Sequence, residues 1–228
     1  MTQTREPQYQ PCMDLRKRQG LASLGLMTSL VWHEDPKRLG IVLARYKFVA
    51  KMLAGSQNVL EAGCADAFCT RVVLQEVGRL TAVDFDPLFI EDARSRMSPD
   101  WPFECRVHDI LEGPVAGPFD GAFALDLLEH LPCEQEQQFV SNLSRSLAAH
   151  GVLILGLPSL QSQPYASPAS LAGHVNCKDA PGLRSLVSRF FHNVFIFSMN
   201  DEVVHTGFYP MAHYLFALCC GPKLDATT

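Results

Sequence analysis

The sequence predicts a doubly wound α/β domain: a mostly parallel sheet of seven strands, helices on both faces, an antiparallel C-terminal strand and a helical cap in front. Three observations carry that prediction. Five short runs at 58–63, 80–85, 103–110, 119–126 and 151–159 are mostly continuous in apolar residues, the pattern of strands buried on both faces. Helix-length segments separate most of them, as parallel crossovers require. Two further runs, 193–201 and 213–220, follow one another with no helical period between them, which suggests an antiparallel pair closing the sheet.

The elements follow in order. The chain has 228 residues, about one and a half typical domains, so one domain with trimmings is expected. Residues 1–13, rich in Gln and Pro, read as a flexible leader, and 14–55 as an N-terminal helical cap. There Leu39, Val42, Leu43, Tyr46, Val49, Ala50 and Leu53 recur at steps of three and four, behind an N-cap at Asp35 and a proline at Pro36, and Gly55 ends the helix. The main domain spans 56–221 and a tail 222–228. Within it, helices are expected over 68–77, 87–97 (capped by Asp86), 132–149 and 180–191.

Composition narrows the function. The chain is 47% hydrophobic and 19% charged with a net charge of −5, which argues against disorder and against a dedicated nucleic-acid binder. Residues 1–55 nevertheless carry nine Lys/Arg against four Asp/Glu. Solvated helix charges are the bland reading of that surplus, and a basic surface facing an anionic substrate is the sharper one. The eight cysteines form no C-x-x-C pair, so reduced thiols in a cytoplasmic protein fit best. The N-terminus has no signal-peptide h-region and no apolar run has membrane-spanning length, so no membrane partner is expected.

In an open α/β sheet, ligands bind beyond the carboxyl ends of the strands. After the first strand comes E-A-G-C-A-D-A-F (61–68), where Gly63 permits a sharp turn and close approach. A dinucleotide G-x-G-x-x-G fails because Ala65 and Phe68 stand where glycines are needed. Asp84 ends the second strand, placed to accept both hydroxyls of a ribose, while Asp86 is the better helix cap. Asp109 ends the third, placed to accept from an adenine amine.

The ordered series VLEAGC (59–64), AVDFDP (82–87), VHDI (107–110), FDGAFALDLLEHL (119–131) and GVLILGLPS (151–159) resembles the motifs of class I S-adenosylmethionine-dependent methyltransferases, closest to their small-molecule, ubiquinone-pathway-like branch. The resemblance covers roughly 36–220. It implies S-adenosylmethionine as cofactor, with Glu61, Gly63 and Ala65 around its methionine part. Asp84 would hold the ribose and Asp109 the adenine, with Phe85 and Ile110 also in contact with the cofactor, and Leu125 and Asp126 would line the methyl-bearing end. Arg45 would reach the cofactor carboxylate. Ala65 and Ala67 depart from the family, which usually has glycines there.

Methyl transfer needs alignment and often a base on the acceptor. Asp126, Glu129, His130 and His174 lie after the fourth and fifth strands. Asp126-x-x-Glu129 reads first as a capping box. A less favoured reading is a divalent-metal site of Asp126, Glu129, His130 and His174, because D-x-x-E-H with a later histidine resembles the E-x-x-E-H…H site of small-RNA 2′-O-methyltransferases and related quinone-pathway enzymes. The long aperiodic segment 161–178 has the character of a binding loop. Tyr165, Asn176 and Phe208 are expected to contact the acceptor, with His174 as the preferred general base and His130 and the Asp126 carboxylate as the other catalytic candidates.

The expected function is transfer of a methyl group to an oxygen or nitrogen of a small-molecule acceptor: a sugar, a nucleotide-linked sugar or a secondary metabolite. The alternatives are a non-catalytic cofactor-binding scaffold and a nicotinamide-dependent oxidoreductase. The apolar C-terminal strand offers an edge for a homodimer.

Overall fold

A computed structural model describes residues 3–223; the end of the expected tail, 224–228, lies outside the described residues. Eight strands form one sheet in the order β3-β2-β1-β4-β5-β8-β6-β7. They are β1 (Val59–Ala62), β2 (Leu80–Asp84), β3 (Glu104–Val107), β4 (Phe119–Leu125), β5 (Leu147–Pro158), β6 (Phe191–Asn200), β7 (Val203–His205) and β8 (Tyr214–Pro222). The five strands from β3 to β5 are mutually parallel, and β8 runs antiparallel between β5 and β6.

The antiparallel strand is therefore internal rather than the edge. The extra three-residue β7 forms a hairpin with β6 and takes the edge instead, making eight strands where the sequence suggested seven. In β1 and β2 every residue is buried, which is why these runs lack alternation.

The cap is three helices, not one continuous pattern: α1 (Gln10–Gln19), α2 (Leu26–Glu34) and α3 (Lys37–Met52). The first begins inside the segment expected to be a flexible leader. Pro36, expected at the first helical position, is itself the N-cap of α3, and the extended Asp35 before it accepts from the Lys37 N–H at 3.2 Å. The remaining helices are α4 (Thr70–Leu74), α5 (Pro87–Ser95), α6 (Glu136–Ser146), α7 (Pro168–Gly173) and α8 (Ala180–Val187). One face of the sheet packs Val49, Ala50 and Leu53 of α3 and Ile90 of α5 against Phe123, Ile154 and Phe216. The other packs Phe139 and Leu143 of α6 and Leu183 of α8 against Leu60, Leu153 and Leu215. His150, expected at a helix end, lies instead within β5, 3.3 Å from Asp120.

The cap is joined to the sheet by a polar clasp. The Asp66 carboxylate, buried in the loop after β1, accepts from the Thr28 N–H at 2.7 Å and its hydroxyl at 3.1 Å. Arg96 donates to the Asp66 carbonyl and pairs with Asp92, whose carboxylate also accepts from the Leu26 N–H. Gly25 lies so close that a Cβ there would overlap Asp66 and Arg96. Gly25→Ala is expected to cost about 1–3 kcal/mol through overpacking, read as a fall in the urea midpoint. An unchanged midpoint would mean that α2 moves aside freely.

Candidate active site

The carboxyl ends of β1, β2, β4 and β5 gather the chemistry-bearing residues. The turn after β1 winds tightly, with Gly63 at φ +74°, Ala65 at +44° and Ala67 at +52°. The two alanines hold a left-handed backbone that favours glycine, at a cost of about 1 kcal/mol each. A Cβ on Gly63 would meet Leu127 at 2.8 Å, so the glycine is required by contact as well as by φ. The turn is pinned from β2: Asp84 accepts from the Ala65 N–H at 2.8 Å and from the Asp86 N–H at 3.0 Å. Asp86, as expected, caps α5 by accepting from the Leu88 N–H at 2.9 Å.

Phe85, beyond the strand tip, is largely exposed, and Ile110 is buried. Asp109 accepts from the Leu111 N–H at 2.8 Å and also lies at this end of the sheet. Leu125 is buried at the tip of β4. A carboxylate at the tip of β2, an exposed aromatic side chain beside it and a glycine turn fit S-adenosylmethionine.

Glu61 is fully buried, accepting from the Tyr46 hydroxyl at 2.8 Å and the Thr70 hydroxyl at 2.5 Å. Burial pushes its carboxyl up to about 7, against the opposing pull of those two hydrogen bonds. A carboxyl raised in the folded state favours folding fully below its unfolded value near 4.5 and loses that contribution as pH rises through about 7. The loss amounts to about 3 kcal/mol. Glu61→Gln is therefore expected to flatten the decline of stability between about pH 5 and pH 8, measured as urea midpoints. A variant that declines in parallel with the parent would exclude Glu61 as the cause.

The segment after β4 departs from the capping-box expectation. Asp126 sits at φ +54° and turns its carboxylate to Arg45 of α3, whose guanidinium donates to both oxygens at 2.7 and 2.9 Å. The 3-10 turn Leu128–His130 has no side-chain cap. Arg45 also stacks on Tyr214, 3.9 Å from the ring centroid. Arg45 and Asp126 are therefore tied to each other just beyond the tip of β4.

Glu129, His130 and His174 come together, each offering a ligand atom within 4.8 Å of the others. Glu129 is wholly buried, and neither carboxylate oxygen has a partner among the described residues. Burial, and next the charge of Asp126, hold its carboxyl well above the usual range. The two imidazoles meet edge to face, 5.2 Å apart. His130 Nδ1 lies 3.0 Å from the Gly173 carbonyl and His174 Nδ1 3.2 Å from Gln163 Oε1. Both acceptors fix the proton on Nδ1 and free Nε2 as a base or ligand. Burial, with a second push from His130, lowers His174 and favours its neutral form. Asp126, committed to Arg45, falls outside this set, so any metal would be held by three side chains rather than four.

The segment expected to be a long loop is ordered. A 3-10 turn at Leu160–Tyr165 is capped by Ser159, and Ser167 caps α7. The Glu129 carbonyl accepts from the Val175 and Asn176 N–H groups at 2.8 and 3.0 Å, which sets His174 beside His130. Asn176 does not face an acceptor. It is buried, with its amide donating to Glu136 at 3.1 Å and accepting from the Cys133 thiol at 3.0 Å. Tyr165 and Phe208 are exposed at this end of the sheet. The clasp residue Asp66 carried no signal in the sequence, because its partner Thr28 is supplied from a distant helix.

A sequence profile of the methyltransferase domain family matches residues 59–151, from the start of β1 to within β5. The ubiquinone biosynthesis O-methyltransferase of Xylella fastidiosa strain M23 is 26% identical over 173 residues, covering 61% of this chain and 70% of its own. The matched segment and this relative support a class I S-adenosylmethionine-dependent methyltransferase. Solved structures share this methyltransferase's fold. The N-methyltransferase NodS of Bradyrhizobium japonicum WM9, bound to S-adenosylhomocysteine, superposes with a TM-score of 0.60 at 21% identity over 84% of this chain and 91% of its own. A TehB-like methyltransferase of Corynebacterium glutamicum gives 0.62 at 17% identity over 86% and 96%. No helix of the methyltransferase, among its described residues, is long and apolar enough to cross a membrane.

Proposed function

We propose that this methyltransferase methylates a hydroxyl oxygen of a small acceptor, with His174 as the general base. One observation carries the reading: the His174 imidazole, lowered by burial and with Nδ1 held by Gln163, stands beside a second imidazole and a buried carboxylate at the carboxyl end of the sheet. The cofactor supplies a methyl group on a positively charged sulfur. The protein's part is to align the acceptor and take its proton.

In this reading Asp84 and Gly63 hold the nucleoside and methionine ends. Arg45 and Asp126 fix the wall of the methyl-bearing end as an ion pair. His174 Nε2 receives the acceptor proton while Gln163 stabilises the imidazolium through Nδ1. Tyr165 and Phe208 give the entrance an aromatic lining suited to a ring-bearing acceptor.

The test is release of S-adenosylhomocysteine across a panel of phenols, catechols, nucleotide-linked sugars and amines. Turnover on hydroxyl compounds, absent with their methyl ethers, is the expected result. Turnover on amines alone would overturn the assignment to oxygen. Tight cofactor binding without turnover on any class would favour the scaffold reading.

A second reading has its own observation, the two partnerless oxygens of Glu129 facing two imidazoles with free Nε2 atoms. That donor set suits Mn²⁺, Fe²⁺ or Zn²⁺ better than Mg²⁺. Full activity in chelator would exclude it.

A further inference from the structure

Residues 15–33 form a surface that the methyltransferase reading leaves unexplained. No acidic residue occurs between Asp14 and Glu34, while Arg16, Lys17 and Arg18 crowd the last turn of α1. Leu15, Leu21, Leu26, Met27, Leu30 and Trp32 are each between 43% and 75% exposed. Of the nine residues of α2, only Thr28 is buried. A surface helix ordinarily turns its apolar stripe to the core. Here α2 is held instead by its polar first turn, through the Leu26 and Thr28 N–H groups on Asp92 and Asp66, and its large apolar side chains remain outward.

We propose that this stretch docks the protein on the surface of an anionic phospholipid bilayer. Three cations and six exposed Leu, Met and Trp side chains within twenty residues match what an acidic headgroup layer attracts and what its acyl boundary takes up. The charge distribution selects this occupant over others. A two-fold contact with a second copy would set the same three cations against each other, and a nucleic acid would leave the aliphatic side chains unused. The remainder of the chain, 56–228, carries ten more acidic than basic residues and is repelled by the same lipid, so only this end approaches it. At nine residues α2 lies in the interface and does not cross it. Its anchor, Asp66, belongs to the turn after β1, so docking is coupled directly to the cofactor end of the sheet.

The test uses the full chain carrying Trp101→Phe, which leaves Trp32 as the single tryptophan. It is mixed with vesicles of phosphatidylcholine alone or with about 30 mol% phosphatidylglycerol. Cosedimentation with the anionic vesicles only, a blue shift of Trp32 emission and its quenching by brominated lipid are expected. The triple variant R16E/K17E/R18E should partition roughly 100-fold more weakly, and L30E/W32E in the Trp101-containing chain should not cosediment. Both should keep the parent's affinity for S-adenosylhomocysteine by calorimetry. Trp32 quenching needs no surface variant, so the proposal remains testable if either variant misfolds.

Absence of partitioning at low salt, or partitioning with Trp32 emission unmoved, overturns the proposal. So does equal binding to both vesicle types. Self-association dispersed by L30E/W32E, without lipid binding, would assign the face to a second copy. The readout is binding, so its failure leaves the methyl-transfer reading untouched.

Discussion

Asp84→Ala is expected to abolish measurable binding of S-adenosylmethionine and S-adenosylhomocysteine, weakening it by at least about 100-fold. Two losses combine. The carboxylate has lone pairs free for the ribose hydroxyls, and charge-assisted hydrogen bonds of this kind contribute about 1.5–3 kcal/mol each. The same carboxylate holds the Ala65 and Asp86 N–H groups at 2.8 and 3.0 Å, and so fixes a turn already strained by two left-handed alanines. Removing it both deletes the contact and frees the turn. Asp84→Asn separates the effects: it keeps an oxygen to accept from one N–H but loses the charge, and a loss of about tenfold is expected. Calorimetric titration of the three proteins decides the matter. An affinity for Asp84→Ala within about threefold of the parent would remove Asp84 from the cofactor site.

The cofactor end of the sheet was legible because its logic is local. A glycine closing an apolar run, an acid at the next strand tip and a second acid before a proline are short-range patterns. Asp86 does cap α5. The acceptor end was legible only in composition. Asp126 and Glu129 at capping-box spacing looked like a local motif, but the partner of Asp126 is Arg45, 81 positions away, and no spacing rule reaches that far. Freed from the motif, Glu129 turns inward to two histidines, one of them brought from beyond β5 by hydrogen bonds to the Glu129 carbonyl. Asn176 was misread for the same reason: its amide is spent on Cys133 and Glu136, residues far away in sequence.

Strand order shows the same limit. The run 213–220 reads as a strand from its own residues, but its insertion between β5 and β6 depends on pairing across the sheet. The cap is helical as expected, but its division was not visible. Helical periodicity was visible over residues 39–53, but the breaks at Gly20–Gly25 and Asp35–Pro36 split the cap into three helices with different anchors. The exposed apolar face of α2 follows from those anchors, not from the sequence pattern, since the same residues would read as core in a packed helix.

His174→Ala is expected to lower turnover by about 10²–10⁴-fold while leaving cofactor affinity nearly intact. The residue lies on the acceptor side, and its ring contacts His130 and Gln163 rather than the β1 turn. The backbone around it is held by the Val175 and Asn176 N–H groups on Glu129, which the truncation leaves in place, so collapse of the site is not the expected cause of the loss. His174→Gln retains volume and polarity without a basic nitrogen and should fall as far as alanine if the role is proton removal. Unchanged turnover in either variant would refute the assignment.

The base and metal readings divide on His130. A lone base at His174 predicts a loss of about tenfold or less for His130→Ala, since the neighbouring ring only helps keep His174 neutral. A three-ligand metal predicts losses of similar size for His130→Ala, His174→Ala and Glu129→Gln, together with inactivation by chelator and recovery on adding Mn²⁺ or Zn²⁺. Run on one acceptor with cofactor binding measured alongside, this comparison assigns the chemistry of the cluster to a proton or to a cation.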